Sequence, residues 1–262
     1  MSLHRYALLL VLLLFTVGSA NAITWFPKDF NCPIDGEKNT FLVVGSYGSY
    51  IYSYPSKYQW LFFPVTDSPT FYLCKKCHLS TYMWDFDKLP KEKLDTLKKA
   101  LADVSVSKPF EKYTEIPVVE RLAIMELVYS HLDKDQEWWE QFYRIQGYHY
   151  GEAGAATEAA KVRRKSLDIL NEWIEDEDNP TSKKLLLYMS GAMHHFLDED
   201  DEAIKKMEAG LTTKYFEKDA TSEELKNGEE NLNSRLRDYI DVIKSTDKKP
   251  RILEKNGRGH SH

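Results

Sequence analysis

The chain has 262 residues, with 35 Lys+Arg against 41 Asp+Glu, a formal net charge of −6 and only three cysteines. Its basic residues are interspersed with acids and form no cationic face for a phosphate backbone, which excludes nucleic acid as an expected partner. An odd number of cysteines also leaves one thiol over from any internal disulfide pairing.

Residues 1–22 read as a cleavable export leader. A short start carries Arg5, an apolar run extends from Ala7 to Val17, and the small-residue pattern Ala20-Asn21-Ala22 follows. The expected mature chain is a soluble periplasmic or secreted protein that begins near Ile23. No later stretch approaches the roughly 20 apolar residues of a membrane helix.

Residues 23–88 hold all three cysteines, Cys32, Cys74 and Cys77, together with a dense set of aromatics. Tyr50 to Tyr54 alternates aromatics with other residues and Thr70 to Leu73 is a short apolar run, so both are predicted strands between turns. A module of this size has a marginal core and calls for a metal, a disulfide or a neighbour to stabilise it. The aromatics between Tyr47 and Tyr72 are expected to form that core and its contact with the rest of the chain, in preference to a peptide or glycan recognition face.

Residues 89–244 carry helical spacing. Leu94, Leu97 and Leu101 open it, and Pro117 leads a helix from Val118 to Tyr129. Trp138, Phe142, Ile145 and His149 mark the next helix, and Ala156, Ala160, Leu167, Leu170 and Ile174 mark another that breaks at the acidic run 175–178. Asn179 with Pro180 is the predicted start of a helix bearing Leu185, Met189, Ala192 and Phe196. Ile204, Met207, Leu211 and Tyr215 form one more stripe. A capping box from Thr221 to Glu224 then opens a last helix with Leu225, Leu232, Leu236, Tyr239 and Ile243. About seven helices result. The polar tail over 245–262 is expected to be disordered. The fold class is therefore mainly α, with a small β-rich cysteine-bearing module at the N-terminus.

The cysteines admit three readings. Cys32, Cys74 and Cys77 can bind zinc, completed by Asp35 or His78, because zinc takes thiolate, carboxylate and imidazole in tetrahedral sets. Cys74-Lys75-Lys76-Cys77-His78 is also a complete string for covalent haem c, with His78 as the axial ligand, in the compartment where such haem is attached. The third reading is a disulfide or plain buried cysteines. No glycine-flanked serine elbow or zinc-protease helix motif occurs, so no catalytic residue and no enzyme activity are expected. His149, His194 and His195 are expected to be partly buried core histidines, and the acidic runs at 175–178 and 198–202 solvated loops.

Tyr143, Gly147, Tyr150 and Ala159, and again Leu187, Gly191, His194 and Ala203, resemble tetratricopeptide repeats, in which a small residue on one helix admits its partner closely. The whole arrangement, through Cys32-Pro33-Ile34-Asp35, Cys74 to Cys77, Trp84-Asp85-Phe86 and the unit from Leu185 to Gly210, resembles an uncharacterised bacterial family of unknown function. In that family a CPxC…CxxC zinc-ribbon-like module precedes tetratricopeptide-like helices. Asp35 stands where the family pattern has its second cysteine and His78 where it has glycine, so a four-cysteine site is impossible here. The repeat-like helices and the cysteine module together lead to the expectation of an exported, non-catalytic interaction or scaffold protein with a metal-supported module and a protein or peptide partner; the rival is an electron-transfer protein with haem c on Cys74 and Cys77 and His78 as its ligand.

Overall fold

The computed structural model describes residues 23–48, 52, 54–176, 179 and 181–245. The leader expected over 1–22 and the tail beyond Ser245 lie outside the described residues, as does most of the strand expected around Tyr50. Tyr52 and Tyr54, which are described, belong to no strand.

Four strands are present among the described residues. β1 (Thr24–Asn31) pairs antiparallel with β2 (Lys38–Ser46), and β3 (Phe71–Leu73) pairs antiparallel with β4 (Ser80–Tyr82). The first ribbon was not readable from periodicity, because Pro27, Lys28 and Asp29 interrupt its alternation. What holds it against β3 is aromatic: Phe41 stacks on Tyr72 at 4.1 Å, and Phe86 and Tyr113 meet both rings edge-on. The Tyr72 hydroxyl donates to the Leu42 carbonyl, and Tyr113 donates to the Pro69 carbonyl.

Among the described residues seven α-helices follow: α1 (Leu94–Ala100), α2 (Val118–Ser130), α3 (Gln136–Glu152), α4 (Ala156–Glu175), α5 (Lys183–His195), α6 (Asp200–Thr212) and α7 (Ser222–Lys244). No described helix is long and apolar enough to cross a membrane. Their starts follow local chemistry. Asp135 accepts from the Trp138 N–H at the head of α3, and Thr221 and Glu224 form the expected capping box of α7. α5 begins at Lys183 rather than beside Asn179. The Asn179 side chain instead accepts from the Thr181 N–H and closes a turn, which delays the helix. The acidic run at 198–202 is not a solvated loop throughout: Asp200 to Glu202 form the first turn of α6, where negative charge suits the helix dipole. Tyr215 lies beyond the end of α6, and its ring rests where a Cβ on Gly228 of α7 would stand.

From α3 onward each helix packs on the next. Two close approaches rest on glycine. A Cβ on Gly147 would come within 2.8 Å of Arg163 Cγ. One on Gly191 would meet Met207 Cγ at 2.7 Å and the Ala203 carbonyl oxygen at 3.1 Å. Because one of the atoms opposing Gly191 is backbone, Gly191→Leu is expected to force α5 from α6 and cost about 1–3 kcal/mol, measured as a lower urea midpoint. An unchanged midpoint would show that the two helices part freely.

The apolar interior does not pause at residue 88. The cluster around Cys32, Phe41, Tyr72 and Cys74 continues into Leu97 of α1, Leu101 at its C-terminal end, and Ile124 and Val128 of α2. Conversely, Tyr58 belongs to the interior of α4 to α7, stacking on Tyr239 at 4.2 Å and hydrogen-bonding Asp238. The chain between β2 and β3 is therefore laid across the helices. Arg144 reaches the Gln59 and Trp60 carbonyls, Tyr188 the Lys57 carbonyl and His149 the Val65 carbonyl. Of the aromatics expected to be core, Tyr58, Phe71 and Tyr72 are buried and Tyr54 and Trp60 pack partly buried against the helices, whereas Phe62 and Phe63 are half-buried and Tyr47 is exposed.

Candidate metal centre

The two hairpins present their turns to one another. Residues 32–37 connect β1 to β2, and residues 74–79 connect β3 to β4. Both turns have the same hydrogen bonds. Cys32 N–H donates to the Glu37 carbonyl and Gly36 N–H to the Cys32 carbonyl; Cys74 N–H donates to the Leu79 carbonyl and His78 N–H to the Cys74 carbonyl. The fifth residue of each turn takes a left-handed conformation, Gly36 at φ 73° and His78 at φ 59°. Glycine accepts that backbone freely, whereas a histidine is strained there. Superposed turn on turn, Cys32 corresponds to Cys74, Asp35 to Cys77 and Gly36 to His78.

This local geometry aims four side chains at one point. One ligand atom from each of Cys32, Asp35, Cys74 and Cys77 lies within 4.8 Å of every other. Cys32 Sγ is 3.5 Å from Cys77 Sγ, and the Asp35 carboxylate oxygens are 3.8 and 3.9 Å from Cys74 Sγ. A tetrahedron of zinc–sulfur bonds of about 2.3 Å places its sulfurs just under about 4 Å apart, so the spacing fits one ion. All three thiols are free, and no other group of this kind occurs among the described residues.

The electrostatics ask for a cation. The Cys74 thiol is lowered by the hydrogen bonds it receives from Cys32 and then Cys77, aided by the backbone N–H groups of Cys77 and Lys76. Cys32 is pushed up to about 12, chiefly by its bond to Cys74. Cys77 is pushed up by Cys32, then by Cys74 and by burial. The trio alone thus stabilises one thiolate and holds the other two as thiols. Three thiolates beside a carboxylate require a positive ion between them, and a divalent one removes two of the four charges.

Supporting contacts join the two turns. Asn39 is 4% exposed; its Nδ2 donates to the Glu37 carbonyl and to Cys74 Sγ, and its Oδ1 accepts from the Lys75 N–H. Asp35 Oδ1 accepts from the Glu37 N–H, which fixes the carboxylate, and Lys75 pairs with Glu37 at 3.2 Å. Such outer contacts orient the ligands of a metal and raise its affinity. Nothing in the sequence singled out Asn39.

His78 is not in the cluster. Its Nδ1 lies 2.8 Å from the Val104 carbonyl oxygen, and the ring faces α1. Of the two candidates for a fourth ligand, the structure brings Asp35 to the sulfurs and takes His78 away. The haem reading gains no support from this arrangement: Cys74 is wholly buried within the cluster, and the imidazole expected as axial ligand is turned onto a backbone carbonyl. On its outer side the cluster meets an open groove lined by Lys76, Cys77, His78, Lys98, Lys99 and Val104.

A family model described as an uncharacterized protein conserved in bacteria, DUF2225, matches residues 25–241. The chain belongs to this family. The match spans both hairpins and all seven helices to within a few residues of the end of α7, so the cysteine module and the helices form one family unit. No curated protein and no solved structure matches the chain.

The histidines considered alongside the cysteines serve the packing. His194 Nδ1 is 2.7 Å from Glu199 and His195 Nδ1 is 2.7 Å from Asp200, which ties the end of α5 to the start of α6, while His149 reaches Val65. All three are buried and do not converge.

Proposed function

We propose that this DUF2225 protein is an exported, non-catalytic interaction protein whose N-terminal module is held in shape by a structural metal ion, zinc by the chemistry of its donors. The observation that carries this reading is the convergence of Cys32, Asp35, Cys74 and Cys77 from two matching hairpin turns. Four side-chain ligands close the coordination shell, and a closed shell leaves no place for a reacting water or substrate, which is the mark of a structural site.

The helices supply the partner surface in this reading. Their close contacts, Gly147 against Arg163 and Gly191 against Met207 and Ala203, resemble the small-residue contacts of tetratricopeptide arrays, which bind proteins or peptides along their faces. The way Arg144, Tyr188 and His149 take hold of main-chain carbonyls between Lys57 and Val65 supports it, because that is how a groove reads an extended chain. The chain's own segment fills that stretch, so a partner meets the remaining helical surface.

Metal analysis of the full chain is the test. About one zinc per chain is expected, with cobalt substitution giving thiolate charge-transfer absorption, and Cys74→Ser should lose the ion. A wild-type protein that retains no metal after refolding with zinc would sink the reading. Chemical cross-linking in an exported preparation examines the partner, and recovery of the free chain alone counts against it.

A further inference from the structure

The same cluster contains an oxidisable pair that the metal would mask. We infer that Cys32 and Cys77, one from each hairpin turn, are joined by a hydroperoxide into a disulfide once the ion is gone. The inference rests on the metal reading only for the protection that zinc gives; the pairing itself rests on where the three sulfurs stand.

Access and distance distinguish them. Cys77 is half-buried and lines the open groove beside Lys98 and Val104, whereas Cys32 is 3% exposed and Cys74 wholly buried. A small oxidant entering the groove meets Cys77 first. Cys32 Sγ then stands 3.5 Å from it across the gap between the turns. Cys74 is the anchored member: its sulfur accepts from Asn39 Nδ2, its N–H is bonded to Leu79 and its carbonyl accepts from His78. Those bonds hold Cys74 in its turn, on the side away from the groove that Cys77 lines. Joining Cys32 to Cys77 needs the two sulfurs to close from 3.5 Å by about 1.5 Å, to the roughly 2.05 Å of a disulfide.

The step balances with hydrogen peroxide as oxidant. The Cys77 thiol gives its proton to solvent in the open groove and its sulfur attacks one peroxide oxygen; the S–O bond forms, the O–O bond breaks, and the departing hydroxide takes a proton back from solvent and leaves as water. The Cys32 sulfur then attacks the sulfenic sulfur of Cys77. The S–S bond forms, the S–O bond breaks, and the hydroxyl leaves as a second water with the Cys32 proton. Two thiols give up two electrons and one peroxide becomes two waters. A loaded ion engages both sulfurs and removes them from this chemistry, so metal and disulfide exclude one another.

The experiment treats the full chain, stripped by a chelator or loaded with zinc, with stoichiometric hydrogen peroxide, followed by non-reducing peptide mapping. The stripped protein is expected to lose two hydrogen masses and yield a Cys32–Cys77 linked peptide. Zinc-loaded protein should form it more slowly by about tenfold or more, because a metal-bound thiolate is withheld from the oxidant. Cys74→Ser should still form the bond and Cys32→Ser should not. A Cys74–Cys77 link, or sulfinic acid without any link, overturns the inference. If the chain binds no zinc yet forms the Cys32–Cys77 bond, the metal reading falls and the pairing stands.

Discussion

Stripping zinc from the loaded protein is expected to lower its unfolding free energy by about 4 kcal/mol when the free ion had stood a thousandfold above its Kd, because an ion that binds only the folded chain stabilises it by mass action. The loss should concentrate in the cysteine module. Its two ribbons have two strands each, and besides the ligand cluster they are joined by the Phe41–Tyr72 stack, a few aromatic edges, the Tyr72 hydroxyl on the Leu42 carbonyl, the Lys75–Glu37 pair and the Asn39 bridge. Two-stranded ribbons are marginal alone. Cys74→Ala should reproduce the effect of the chelator and make the protein insensitive to it, since the variant lacks the anchored ligand and leaves Asn39 Nδ2 without its sulfur. Thermal melting of both proteins with and without chelator measures this. Equal melting temperatures for loaded and stripped wild type would remove the ion from the fold.

The ligand set was half legible in the sequence. Cys32, Cys74 and Cys77 were candidates by residue type, and two-residue spacing within each turn brought Asp35 in. What spacing could not decide was Asp35 against His78, because adjacent residues in a turn point in different directions and only the backbone φ of each says where. Gly36 and His78 occupy the left-handed position in their turns, and a side chain there leaves the ligand face. Asn39 was invisible for another reason: a buried asparagine on a strand reads as an ordinary polar residue until its three partners are in place.

Helices were the most legible part, since apolar stripes at helical spacing survive any tertiary arrangement. The strands were the least. β1 is mostly exposed and carries Pro27 and Asp29 in mid-strand, so neither burial nor propensity marks it. The aromatic stretch 54–66 misled in a different way. It follows directly on the alternation from Tyr50 to Tyr54 that reads as a strand, but its rings cross a helical surface, giving Tyr58 to α7, Trp60 to Tyr188 and Tyr54 to Phe196.

Arg121 shows how far helical patterning can conceal a function in the fold. It sits among Leu122, Ile124 and Met125 on α2, reads as a solvated charge, and is 2% exposed. Its Nε donates to the Ile116 carbonyl, and its Nη1 donates to the Ser68 and Phe71 carbonyls, which fastens the entry to β3 onto the head of α2. Among the described residues no carboxylate pairs with it. Burial pulls its pKa down to about 10, opposed by Tyr113, so it still carries its charge at neutral pH and depends on those carbonyls for solvation. Arg121→Ala should therefore cost about 3–5 kcal/mol, since it empties a large buried volume and orphans three buried carbonyls together. Against a total stability of roughly 5–15 kcal/mol that is a large share. Arg121→Lys should recover only part of the loss, because one ammonium cannot reproduce the spread of a guanidinium. Urea unfolding of the two variants decides it: a loss below about 1 kcal/mol for Arg121→Ala would mean that water replaces the guanidinium and the site is not dry.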